Sequence, residues 1–211
     1  MLHVDIKKRL TEFTLSLTFQ MGNEIVALYG PSGSGKTTTL HCIAGITSID
    51  AGEITLGKRI FVRGGQSLIP IEERQIGYVF QQYALFPHKT VWQNIAYGMK
   101  DELLTQRLIE RLQLTHLLEK YPHEISGGEK QRTAFIRALA TKPQLLLLDE
   151  PFSALDDQVK QQSYEQLRSI HEMENIPIIL VTHDRHDINY VAHRKLEIAD
   201  GRLINDQVVN K

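Results

Sequence analysis

Eight residues, Gly30-Pro31-Ser32-Gly33-Ser34-Gly35-Lys36-Thr37, fit the spacing G-x-x-x-x-G-K-T and lie between an apolar run and a helical continuation from Thr38. The glycines let the backbone wrap so that successive N–H groups converge at a helix N-terminus, where they form an anion nest. In such a loop Lys36 reaches the β- and γ-phosphates of a nucleoside triphosphate, and the Thr37 hydroxyl ligates Mg²⁺. The spacing therefore assigns residues 30–38 to phosphate binding. A second chemical pair, Asp149-Glu150, ends the apolar run Leu145-Leu146-Leu147-Leu148 just before Pro151. An acid at that point of a P-loop protein holds the Mg²⁺ shell, a role that suits Asp149. Neighbours on a strand point in opposite directions, so Glu150 is left to address an attacking water. A third segment, Ile125-Ser126-Gly127-Gly128-Glu129-Lys130-Gln131-Arg132, has the grammar of a helix start. Ser126 caps it, and Glu129 completes a capping box. Two glycines in a first turn cost roughly 1 kcal/mol each in helix propensity, which a close approach by another group would explain.

These groups need a scaffold to bring them together. Phe13, Leu15, Leu17 and Phe19 alternate with Thr14, Ser16 and Thr18, the period of a half-buried antiparallel strand. Ile25-Val26-Ala27-Leu28-Tyr29, Leu145 to Leu148 and Ile178-Ile179-Leu180-Val181 are apolar throughout, as in central parallel strands covered on both faces. Ile76-Gly77-Tyr78-Val79-Phe80 is a candidate fourth, and Asp200-Gly201 between two short runs reads as a hairpin. From about Thr90 to Thr141 the pattern turns helical, with Leu103, Leu104, Leu108, Leu112 and Leu117 as its apolar stripe. An α/β body, N- and C-terminal in sequence, thus carries an inserted helical piece.

With 211 residues, 42% of them hydrophobic, the chain can bury a substantial core and reads as one domain. Its 24 Lys and Arg against 25 Asp and Glu leave no basic excess for holding nucleic acid by bulk charge, so no nucleic-acid partner is expected. The single cysteine, Cys42, allows no intrachain disulfide and fits a reducing compartment. Residues 1–9 lack the apolar core of a signal peptide. No apolar run reaches the ~20 residues that span a bilayer, so a membrane role would be peripheral, through a partner.

Three further segments, with the stretch from Ile125, complete a pattern that resembles the ABC ATPase family. The stretch from Ile125 is similar to that family's L-S-G-G-Q signature, with Ile125 for Leu and Glu129 for Gln. Gln81, after Gly77-Tyr78-Val79-Phe80, looks like the Q-loop glutamine. Ser153-Ala154-Leu155-Asp156 resembles the D-loop, and Val181-Thr182-His183-Asp184 the H-loop with its switch histidine. The resemblance spans nearly the whole chain. It implies a P-loop NTPase core with a mostly parallel central sheet, an N-terminal antiparallel β subdomain and an inserted α-helical subdomain. Residues 1–81 and 141–211 would form the core, and 82–140 the helical subdomain with the signature. It implies a head-to-tail homodimer in which Ser126, Gly127 and Gly128 of one copy, with Asp156 of the D-loop, complete an ATP site on the other. Gln81 would join Thr37 and Asp149 at Mg²⁺, and Glu150, His183 and Gln81 would serve hydrolysis.

Lys36 and Ser126 are 90 positions apart, leaving no room for the long coiled coil of chromosome and repair ATPases of this type. The single cassette also differs from translation-linked members. Gln81-Gln82-Tyr83-Ala84-Leu85-Phe86-Pro87-His88 is similar to the importer pattern, and residues 7–22 and 94–98 to molybdate and tungstate importers. The expected partners are transmembrane permease subunits, served in turn by an extracytoplasmic solute-binding protein. The expected place is the cytoplasmic face of the membrane. Coupling to a membrane signalling or cell-division complex is the alternative. Many relatives extend into a C-terminal regulatory domain, whereas this sequence runs to Lys211, soon after its last hairpin. One departure concerns the base. Phe13 is the aromatic ahead of the loop, and its alternation with Leu15 predicts that it faces the core. Leu10 or Arg9 would then cover the adenine, with weak selectivity for ATP over GTP.

Overall fold

The three continuous apolar runs lie side by side as parallel strands in the computed structural model, which describes residues 1–209. In chain order the elements are β1 (Leu2–Arg9), β2 (Thr14–Met21), β3 (Ile25–Tyr29), α1 (Lys36–Ala44), β4 (Ala51–Leu56), β5 (Arg59–Arg63), β6 (Gln66–Ser67) and β7 (Ile76–Val79). There follow α2 (Val91–Ile95), α3 (Glu102–Arg111), α4 (Gly127–Leu139), β8 (Leu145–Asp149), α5 (Asp157–Glu174), β9 (Ile178–Thr182), α6 (Arg185–Val191), β10 (Arg194–Ala199) and β11 (Arg202–Val208). The strands form one sheet in the order β6-β5-β4-β1-β2-β11-β10-β3-β9-β8-β7. From β10 to β7 neighbours are parallel, while β1, β2, β4, β5 and β6 make an antiparallel wing. The halves join where β11 pairs with β2 at Arg202 and Ser16.

Period two explains why the central strands are apolar on both sides. Ile25, Ala27, Leu146, Leu148, Ile178 and Leu180 face a core shared with α2 to α6. Their neighbours Val26, Leu28, Leu145, Leu147, Ile179 and Val181 face a second core with α1 and the antiparallel wing. Strand β2 needs only one apolar face, so Leu15, Leu17, Phe19 and Met21 are buried and Thr14, Ser16, Thr18 and Gln20 exposed. Between β7 and β8 the chain is helical, with 3₁₀ turns at Thr115–Leu117 and Pro122–Glu124. Leu103, expected on the apolar stripe, points to solvent: α3 buries Thr105, Leu108 and Ile109, which places Leu103 on its opposite side.

Candidate nucleotide and hydrolysis site

At the C-terminal end of β3 the chain turns through residues 30–35 into α1, which starts at Lys36. Gly35 caps that helix at φ +101°, a conformation closed to most side chains, and a Cβ there would strike Leu15. The Lys36 ammonium donates to the carbonyls of Gly30 (2.8 Å) and Pro31 (2.7 Å), so it lies inside the loop. Burial lowers its pKa, opposed by the charges of Glu150 and Asp149. Ser34 Oγ is buried and lacks a hydrogen-bond partner among the described residues, an orphaned donor that suits a phosphate oxygen. Ser32, Gly33, Gly35, Lys36, Thr37 and Thr38 line a cleft of about 360 Å³, with Glu150 on one side and residues 10–13 on the other.

Phe13 is among those lining residues. It is half-buried, and a Cβ on Gly201 would strike its ring, while it also packs against the second core. Phe13 thus packs against the core as expected and also lines the cleft, because it precedes β2, where alternation no longer dictates its direction. Leu10 lines the cleft beside it, and Arg9 does not.

Asp149, the last residue of β8, accepts a hydrogen bond from Thr37 Oγ1 at 2.9 Å and one from the Tyr78 hydroxyl at 3.4 Å. Burial pushes its pKa up, and the Thr37 bond opposes that shift. Hydroxyl and carboxylate oxygens are the donors Mg²⁺ takes, with water and phosphate oxygens filling its shell. Among the described residues no cluster of three or more His, Cys, Asp or Glu could hold a metal. That donor set fits a metal held jointly with a phosphate ligand.

Glu150 departs from the strand geometry that separated it from Asp149. Its φ is +46°, so a left-handed backbone, not strand alternation, turns its side chain. Gln81 Nε2 donates to Glu150 Oε2 at 2.9 Å, and His183 Nδ1 lies 3.3 Å from Glu150 Oε1. Three residues from separate segments thus meet at one carboxylate beside the phosphate loop.

The remaining predicted residues lie apart. Ser126 caps α4, with Glu129 completing the box at 2.7 Å from its N–H, and Asp156 caps α5 through the Val159 N–H at 3.0 Å. None of Ser126, Gly127, Gly128 and Asp156 lines the cleft. Gly128 has a reason within the chain: a Cβ there would come within 2.8 Å of Val159 on α5. Gly127 and Ser126 are exposed.

Several supporting residues escaped the sequence reading. Buried Gln131 donates to the carbonyl of Pro151 at 2.8 Å and accepts from Ser163 at 2.9 Å, tying α4 to the Glu150 turn and to α5. Arg137 donates to the carbonyls of Tyr83 and Ala84, both at positive φ, and its guanidinium covers the Phe86 ring. Phe86 also meets Tyr97 and helps line a groove of about 460 Å³ with Phe80 and Ala84. The clue to Gln131 and Arg137 was a polar residue recurring on the buried face of a helix.

Comparison with known proteins places this geometry in context. The family model described as ABC transporter matches residues 13–153. The sulfate/thiosulfate import ATP-binding protein CysA 1 of Shewanella oneidensis is 40% identical over 215 residues, covering 94% of this chain and 56% of its own length. CysA of Photorhabdus laumondii is 42% identical over 208 residues, 92% of this chain and 55% of that protein. The chain therefore spans about half the length of these relatives. The molybdate/tungstate import ATP-binding protein WtpC of Archaeoglobus fulgidus is 41% identical over 211 residues, covering 96% of this chain and 85% of that protein. A solved ATP-binding cassette, dimeric in a post-hydrolysis state with ADP and Pi, superposes with a TM-score of 0.83 over all of both chains. At 24% identity that likeness shows the fold.

Proposed function

The chain belongs to the ABC transporter family, and on that premise we propose that it binds and hydrolyses ATP to energise an importer. The observation that carries this is the meeting of Gln81, Glu150 and His183 beside a phosphate loop. Backbone N–H groups of residues 32–37 and the Lys36 ammonium hold the β- and γ-phosphates. Thr37 and Asp149, with Gln81, hold Mg²⁺, which when bound neutralises charge on the phosphate oxygens. Glu150 orients the attacking water and takes its proton. His183 and Gln81 hold Glu150 and face the γ-phosphate. Phe13 and Leu10 cover the base. A second copy, head to tail, supplies Ser126, Gly127 and Gly128, with Asp156 near the shared interface. That accounts for a cleft that none of these four residues lines in the single chain.

Among the described residues no helix is long and apolar enough to cross a membrane. As an importer subunit the chain would sit at the cytoplasmic face, bound to permease subunits that an extracytoplasmic binding protein supplies. The groove at Phe80, Ala84 and Phe86 is apolar and reaches the surface, as a seat for a permease segment requires. The solute we propose is a tetrahedral oxyanion. Molybdate or tungstate alone is too narrow a choice, since the relatives include sulfate/thiosulfate import proteins at similar identity. Reconstitution with the cognate permease tests it. Hydrolysis should rise with sulfate, molybdate or tungstate and its binding protein, and should vanish in Lys36→Ala. Stimulation by none of these oxyanions would contradict the choice of solute.

A further inference from the structure

His183 sits on a two-residue turn between β9 and α6, with its side chain 62% exposed. Apart from Glu150 Oε1, 3.3 Å from its Nδ1, a side chain so open to solvent takes its direction from its backbone. That backbone is bracketed by one hydroxyl. Thr182, 2% exposed, accepts the Asp184 N–H at 3.0 Å and donates to Asp187 Oδ2 at 2.5 Å. The bond therefore crosses His183 from one side to the other. An ionised carboxylate only accepts, so the Thr182 proton has one direction available. The second oxygen, Asp187 Oδ1, accepts the Tyr164 hydroxyl at 2.6 Å. Tyr164 stands on α5, its ring edge-on to Phe152 at 4.8 Å and stacked on Tyr190 at 5.3 Å. From the same helix, Lys160 reaches Asp184 at 3.3 Å.

Asp187 is 4% exposed and does not line the nucleotide cleft. A buried carboxylate carries a desolvation penalty that an apolar residue of similar size would avoid. What the carboxylate adds is geometry: two acceptor oxygens that clamp two hydroxyls at once. We propose that Asp187 is a positioning residue for His183, acting through Thr182 and anchored on α5 by Tyr164. This rests on the reading of His183 as a group that serves hydrolysis. Helix α5 begins at the cap residue Asp156, so the clamp also joins the D-loop helix to the histidine turn.

The test is a double-mutant cycle on kcat and KM for MgATP. Removing one donor aimed at transition-state charge lowers kcat by ~10²–10³-fold, which is the loss expected for His183→Ala. Thr182→Val keeps shape and removes the bracket. It should lower kcat about tenfold, less than the ~10²-fold that a 1 Å misplacement can cause, with KM little changed. Thr182→Ser keeps the hydroxyl and should restore kcat. Tyr164→Phe, which keeps both ring contacts, should lower kcat in the same direction and serves as the second variant if Thr182→Val does not fold. The double variant Thr182→Val/His183→Ala should hydrolyse no more slowly than His183→Ala alone, because the bracket acts only through the histidine. Multiplied losses in the double variant, or wild-type kcat in both Thr182→Val and Tyr164→Phe while His183→Ala is impaired, overturn the clamp alone. Wild-type turnover in His183→Ala overturns the clamp together with the reading it rests on.

Discussion

Glu150 is the residue on which the chemistry converges, and its backbone is held in a conformation that few side chains adopt. A left-handed non-glycine residue persists only where its surroundings impose it, at about 1–3 kcal/mol. Here the Glu150 N–H donates to Val181 O, its own carbonyl accepts from Ser153, and both carboxylate oxygens have partners. Glu150→Gln keeps the shape and removes the proposed base. Steady-state phosphate release should fall by ~10²–10⁴-fold while ATP binding persists. Asp149 makes the opposite bargain between function and stability. Burial raises its pKa above the ordinary 3.8, so the folded chain holds this proton to higher pH than the unfolded chain does. Its contribution to stability is present below 3.8 and lost as pH rises through the folded pKa. Thermal unfolding of nucleotide-free Asp149→Asn should therefore show a higher Tm than wild type at neutral pH. The difference should shrink as pH falls toward 3.8, and the variant should lose hydrolysis. A lower Tm for Asp149→Asn at neutral pH would show that the carboxylate is stabilised where it lies.

Helix α1 shows how an element sets the site from both of its ends. Its first residue is Lys36 in the phosphate loop, and its last carbonyls, of Cys42 and Ile43, accept from the buried Arg74 guanidinium at 3.2 and 2.8 Å. Arg74 also lies over the Phe61 ring and donates to Ile69 O, so one side chain fastens the helix to the antiparallel wing. A cation at a helix C-terminus is favourable, and carbonyls left buried without a donor cost about 1–3 kcal/mol. Arg74→Met should lower the unfolding free energy in urea by about that amount. A change below ~0.5 kcal/mol would mean that other groups take over the capping. Arg74 was invisible in the sequence because a lone arginine before β7 reads as surface. The carbonyls it caps belong to α1, 31 and 32 positions earlier, and no local spacing links them to it. The central strands were legible because burial on both faces leaves no polar positions in them. Helix α5 was not: only Tyr164, Leu167 and Ile170 of its 18 residues are buried apolar side chains, among many glutamines and charges. The phosphate loop and the Asp149-Glu150 pair were legible because their spacing is local. Gln131, Asp187 and Tyr164 were not, because they act by pairing residues from different elements.

On the proposed reading the whole molecule presents half of two sites. The cleft holds the loop and Glu150, with Asp149 bonded to Thr37 of that loop, while Ser126 and Asp156 cap helices elsewhere on the chain and Gly127 and Gly128 open the first of them. If a second copy completes each cleft, two variants that are inactive alone should recover activity when mixed. Ser126→Arg blocks the contribution made to a partner, and Lys36→Ala disables a chain's own loop. A heterodimer of the two has one site with intact loop and intact signature, so mixing should restore up to about half the wild-type rate per dimer, read as phosphate release against mixing ratio. With 24 basic and 25 acidic residues the chain has almost no net charge, so no net repulsion opposes such an assembly. A nucleotide held between the two copies would make dimerisation depend on ATP. The most direct test of the composite site is the mass of Glu150→Gln in sedimentation with and without MgATP. Glu150→Gln should be a monomer without nucleotide, a species of twice the mass with MgATP, and a monomer again when Ser126→Arg is added. A Glu150→Gln chain that binds MgATP yet stays monomeric, in an enzyme whose wild-type rate is linear in concentration, would contradict it.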